Sequence, residues 1–160
     1  MPAGYSKRAL PEKLGIKENS KMIFLNAPSD YARTLGKLPK GITLTNDLDG
    51  PLDFVQFFAK ERAELETCIR RLKQELSKNG TLWISWPKRV SKVETDLSEG
   101  VVREIGLRNG LVDVKVCAVD ETWSGLKFVY RKKDRKKSLM IRWAGCKLLA
   151  GHVAARYNGN

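Results

Sequence analysis

The chain has 160 residues, 42% of them hydrophobic and 30% charged, with a formal net charge of +12. That length suits one domain around a single core and is short for two. No run approaches the roughly 20 consecutive apolar residues of a membrane span, and the first residues lack the apolar stretch of a secretory signal, so a cytoplasmic location is expected.

The widely spaced Cys68, Cys117 and Cys146 argue against a disulfide framework, and with His152 the single histidine, a metal site and histidine-dependent catalysis are not expected. In chain order, residues 7–16 predict a short leading helix or turn whose Leu10, Leu14 and Ile16 pack on a sheet. Residues 22–25 are apolar throughout, as in a strand covered on both faces. Through Asn26 and Ala27 they lead into a short helix over 29–35, with Pro28 or Ser29 at its start. A second short strand is predicted at 42–45. The few residues from Asn46 to Leu52 leave little chain for a full crossover to a parallel neighbour, so its place in the sheet stays open.

Residues 54–58 and 82–86 are two more apolar runs, broken only by Gln56 and Ser85. Between them a helix over 61–78 carries Leu65, Ile69, Leu72 and Leu76 on one stripe, with Glu64, Arg70, Lys73 and Gln74 elsewhere. Asn79-Gly80 is expected to end it. Strand, helix and buried strand make a βαβ unit, which calls for a parallel pair. A second crossover helix follows, capped by Asp96 with Glu99 three residues on, striped by Leu97, Val101 and Ile105, and stopped by Asn109-Gly110. Alternating apolar and polar residues then predict two antiparallel strands within 111–131, joined by DETWSG, the first lying toward a sheet edge.

These elements compose an α/β fold, a mostly parallel sheet flanked by helices with a C-terminal antiparallel hairpin. Residues 1–131 form the expected domain, and 132–160 a basic extension, either helical or without fixed structure. In open α/β sheets, ligands lie beyond the carboxyl ends of the parallel strands. On that edge Asn26 ends the first strand, Lys88 and Arg89 suit a phosphate or carboxylate, and Asp120 suits a hydroxyl or amine. Trp86 and Trp123 suit stacking on a flat ring, and Ser124 completes the candidates. No catalytic residue is assigned. The turn at 26–30 holds no glycine, and Pro28 lacks an N–H that a phosphate would need. That composition counts against S-adenosylmethionine, and no cofactor is expected.

Four segments, AGYSKRALPEKLGIK, LNAP, LWISWPKRVSKVETDL and GLVDVKVCAVDETWSGLKFVYRK, span most of residues 3–132. In them the chain resembles bacterial proteins of the domain of unknown function 3052 family. The resemblance implies a methyltransferase-like Rossmann sheet closed by the final hairpin, and brings no catalytic residues with it. The function expected is a non-enzymatic module on a degenerate methyltransferase-like scaffold, binding a small anionic or nucleotide-like ligand or a protein partner. One alternative is a divergent S-adenosylmethionine-dependent methyltransferase using Trp86, Asp120 and Trp123 in its pocket. The other is association with nucleic acid or an acidic surface through residues 132–160, which hold eight Lys/Arg against one Asp, +7 of the total +12.

Overall fold

The computed structural model describes residues 8–135. Beyond a 3-10 turn at Lys132–Asp134, the basic extension and the association expected of it lie outside the described residues. Strands β1 (Lys21–Leu25), β2 (Thr43–Leu44), β3 (Leu52–Phe58) and β4 (Leu76–Pro87) run parallel. The hairpin of β5 (Leu111–Ala118) and β6 (Trp123–Tyr130) completes a six-stranded sheet in the order β2-β1-β3-β4-β6-β5, with β6 antiparallel to both neighbours.

Helices α1 (Leu10–Leu14) and α2 (Tyr31–Leu35) pack on one face of the sheet, and α3 (Arg62–Glu75) and α4 (Glu99–Arg108) on the other. Because successive strand side chains point to opposite faces, Met22, Phe24 and Phe54 enter the α1/α2 layer while Ile23, Leu25 and Val55 enter the α3/α4 layer. Two covered faces explain why the central strands read as nearly unbroken apolar runs. The two interruptions satisfy one another: the Tyr31 hydroxyl donates to Gln56 Oε1 at 2.6 Å, and Gln56 Nε2 donates to Ser85 Oγ at 3.0 Å. Gln56 and Ser85 are fully buried, where an unpartnered polar group would be costly. Trp83 Nε1 donates to the Leu14 carbonyl at 2.9 Å, fixing the end of α1 on the sheet.

Strand β2, left unplaced by sequence, lies outside β1 at the sheet edge. It needs no long return because it is two residues long and pairs only with Lys21 and Met22 at the start of β1. Met22 also pairs with Phe54, so β2 and the start of β3 lie level on either side of it. The helix expected over 61–78 ends earlier, at Glu75, and Leu76 already pairs with Leu52. Asn79-Gly80 sits within the irregular start of β4 instead of capping the helix. A Cβ on Gly80 would come within 2.8 Å of the Leu52 carbonyl, so close strand approach is the reason for glycine there.

The cap of α4 is Ser98, whose Oγ accepts from the Val101 N–H at 3.3 Å, and not Asp96. Asp96 accepts from the Arg62 N–H at 2.6 Å and so serves the first turn of α3. Helix α2 starts after Asp30, one turn position later than the Pro28 or Ser29 expected. Cys68, for which no disulfide was expected, is disulfide-bonded, while Cys117 is free. Among the described residues no helix is long and apolar enough to cross a membrane.

Candidate functional site

The connection after β1 carries the chain outward to β2, whereas the connection after β3 carries it the other way to β4. Two neighbouring parallel strands whose connections diverge leave a crevice at their carboxyl ends, the usual ligand position in open α/β sheets. A cleft of about 640 Å³ opens there, within the range of ligand pockets. Asn26, Ala27 and Pro28 line it from the end of β1, Phe58, Lys60, Glu61 and Glu64 from the end of β3 and the start of α3, and Val93, Thr122 and Trp123 from the far side.

Its apolar wall is the Phe58–Trp123 pair, packed edge to face with centroids 5.1 Å apart. Asn26 takes a left-handed backbone, φ +56°, a conformation that glycine usually supplies and that asparagine tolerates better than most residues. Its Nδ2 donates to Glu64 Oε2 at 3.4 Å, and Glu64 Oε1 accepts from the Lys60 N–H at 3.4 Å. Burial pushes the Glu64 carboxyl above the ordinary carboxylate range, the Lys60 N–H opposes that shift, and the neighbouring Glu61 charge adds to it. On the α4 side, Thr95 Oγ1 donates to the Lys60 carbonyl while Asp96 caps Arg62, so the loop after β4 is stitched to the start of α3.

The structure separates the residues proposed from sequence. Asn26 and Trp123 line the cleft. Trp86 does not, because its side chain enters the α3/α4 core and is only 5% exposed. Asp120 turns its Oδ1 onto the Thr122 and Trp123 N–H groups, both at 2.8 Å, and thereby shapes the hairpin turn that presents Trp123. Ser124 is the cross-strand partner of Trp86 and Ala118, one residue out of phase with Trp123 and so on the opposite face of β6. Lys88 and Arg89 follow β4 without lining the cleft; the Lys88 N–H donates to the Thr122 carbonyl at 2.7 Å. Sequence placed Lys60 and Glu61 at the carboxyl end of β3 without naming them as ligand residues, and did not single out Glu64, Phe58 or Val93. The signal for the first three was their place in the first turn after β3, which gains meaning only once the strand order makes β3 a neighbour of β1.

No family model matches the chain, and no curated protein matches it. Solved structures do. A putative type 11 methyltransferase from Sulfolobus solfataricus aligns over 85% of this chain and 95% of its own, at 11% identity and a TM-score of 0.56. A SAM-dependent methyltransferase from Aquifex aeolicus aligns over 73% and 85%, at 16% identity and a TM-score of 0.51.

The chain adopts the Rossmann-like fold of methyltransferases.

It spans about half the length, 51%, of the magnesium protoporphyrin IX methyltransferase from Synechocystis, to which it is similar at 18% identity and a TM-score of 0.44. The expectation of a non-enzymatic binding or protein-interaction module is thereby corrected: solved structures that share this fold over most of both chains are methyltransferases. That expectation rested on the glycine-free turn and on the absence of an assigned catalytic residue; the turn's first residue, Asn26, takes a left-handed backbone.

Proposed function

We propose that the chain is a divergent S-adenosylmethionine-dependent methyltransferase domain whose cofactor occupies the cleft between the carboxyl ends of β1 and β3. The observation that carries this reading is the cleft itself, open at the one place where the sheet's connections diverge. Its lining fits the group. S-adenosylmethionine carries a sulfonium cation, an ammonium group, ribose hydroxyls and a flat base, and when bound it supplies an electrophilic methyl group.

Glu61 and Glu64 are the acceptors for its cations or hydroxyls, and Phe58 with Trp123 forms an apolar wall for its flat part. Two carboxylates beside one lysine favour such a ligand over the small anion anticipated from Lys88 and Arg89. Trp123 keeps the pocket role considered for it, whereas Trp86 works as core and Asp120 as a turn residue. Kinship with the domain of unknown function 3052 family is part of the same proposal and adds no residue to the site.

The test is equilibrium binding of S-adenosylmethionine to the wild type and to Glu61→Gln/Glu64→Gln. Saturable binding is expected in the wild type, weakened at least about tenfold in the double variant, since hydrogen bonds to charged groups are worth about 1.5–3 kcal/mol each. A wild type that does not bind, or a variant that binds equally well, would sink the assignment.

A further inference from the structure

The α1 side of the β5–β6 hairpin gathers cations that the cleft does not use. Lys115 and Lys127 are direct cross-strand partners, an arrangement in which like charges destabilise the pair. Lys127 Nζ lies against Gly15 at the end of α1. Burial lowers the Lys127 pKa from the ordinary lysine value, and the charges of Lys115 and Lys17 lower it further. Nearby, Lys13 Nζ donates to the carbonyl of Ala118, the last residue of β5, at 3.1 Å. Lys13, Lys115, Arg8 and Lys88 all act on Cys117, opposing the upward push of burial on its thiol.

Among the described residues the ion pairs are centred on Arg62, Arg103 and Arg108 of α3 and α4, and none includes Lys17, Lys115 or Lys127. The basic face and the cleft share strand β6. Trp123, which lines the cleft, shares a face of β6 with Lys127, and Lys88 is bonded through its backbone to Thr122 at the rim. Exposed Val116, the partner of Leu126, points to the opposite side of the hairpin. A membrane-binding face interleaves large anchors such as Trp, Phe or Leu with its cations, whereas the large hydrophobics exposed on this hairpin, among the described residues, are two valines, Val114 at the register shift and Val116 facing away.

We propose that the basic face formed by Lys17, Lys115 and Lys127 binds the phosphate backbone of single-stranded nucleic acid and leads the strand toward the cleft. Charge complementarity drives it: a bound phosphate relieves the Lys115–Lys127 repulsion and releases counterions. The proposal names a substrate class for the methyltransferase reading, and only in that respect rests on it.

The experiment is fluorescence anisotropy of a short labelled single-stranded RNA with the full chain at several salt concentrations. It compares the wild type, Lys115→Gln/Lys127→Gln, and the charge-matched control Arg70→Gln/Arg108→Gln at exposed positions of α3 and α4, on the other face of the sheet. The hairpin pair should lose about tenfold in affinity and lower the salt slope by about 1.4, the value for two phosphate contacts on a single strand, while the control changes little. Its unfolding temperature should be at or above that of the wild type, since a repulsive pair is gone. Lys17→Gln, on an exposed side chain, should lose affinity by a smaller factor and does not depend on hairpin stability.

Equal losses in hairpin and control pairs, or none in either, would overturn the proposal. So would binding of phosphatidylserine vesicles that needs Lys115 and Lys127 while RNA binding does not. S-adenosylhomocysteine binding, read in the same samples, separates the two ideas. Strand binding without it upholds the hairpin face and removes the methyltransferase reading; adenosyl binding without strand binding does the reverse.

Discussion

Glu64 sets the chemistry of the cleft against the stability of the fold. Its carboxyl titrates above the usual range because burial penalises the charge. The unfolded chain therefore gives up this proton at lower pH than the folded one. The residue's contribution is present in full below the ordinary carboxylate pKa and is lost as pH rises through the elevated value. Glu64→Gln should accordingly raise stability at neutral pH, by less than about 1 kcal/mol for a half-buried group, with the gain shrinking in acid; urea titrations across that pH range measure it. The same substitution should weaken adenosyl binding, the trade expected where a site residue is held for function. Tyr31→Phe makes a contrasting prediction away from the site. It leaves buried Gln56 Oε1 without the Tyr31 hydroxyl and should cost about 1–3 kcal/mol in chemical denaturation.

At the scale of elements, α4 is held by its first turn and by close packing of its last. Ser98→Ala removes the hydroxyl that accepts from Val101 and should cost about 1 kcal/mol of stability. Gly106 looks from sequence like a weak point in a helix, yet a Cβ there would meet Phe128 Cε1 at 2.1 Å. Gly106→Ala should therefore destabilise by about 1–3 kcal/mol through overpacking, although alanine is the better helix former. Thermal unfolding of both variants decides it, and a stabilised Gly106→Ala would contradict the packing described. Arg103 ties α4 to β5 through Asp113 at 2.9 Å, and this hydrogen bond holds the Asp113 carboxyl below its usual range. That contribution is present above the ordinary carboxylate pKa and fades as pH falls through the depressed value.

For the molecule as a whole, what sequence made legible follows the range of the forces involved. Strand runs, helix stripes and the closing hairpin are written in local periodicity, so the central strands, α3 and the β5–β6 pair were readable. The true cap of α4 was not, because Asp96 and Ser98 are both good caps and only the packing of α3 against the β4–α4 loop assigns Asp96 to Arg62. Gln56 and Ser85 were visible as interruptions but not as partners, since their bond crosses from β3 to β4. The α/β pattern pointed to the carboxyl edge, and Asn26 and Trp123 line a cleft that opens there. Trp86 does not: the phase of a strand buried on both faces is invisible to an apolar run. Glu64 was read as lying off the apolar stripe of its helix, and the order β1-β3 is what turns it toward a cleft.

Thermal unfolding of the full chain with and without saturating S-adenosylhomocysteine tests the central claim most directly. A ligand held only by the folded state, at about a hundred times its dissociation constant, adds about 2.7 kcal/mol of apparent stability. The account predicts a saturable rise in unfolding temperature in the wild type, much reduced in Glu61→Gln/Glu64→Gln. An unchanged unfolding temperature at every concentration, with the chain folded, would contradict it.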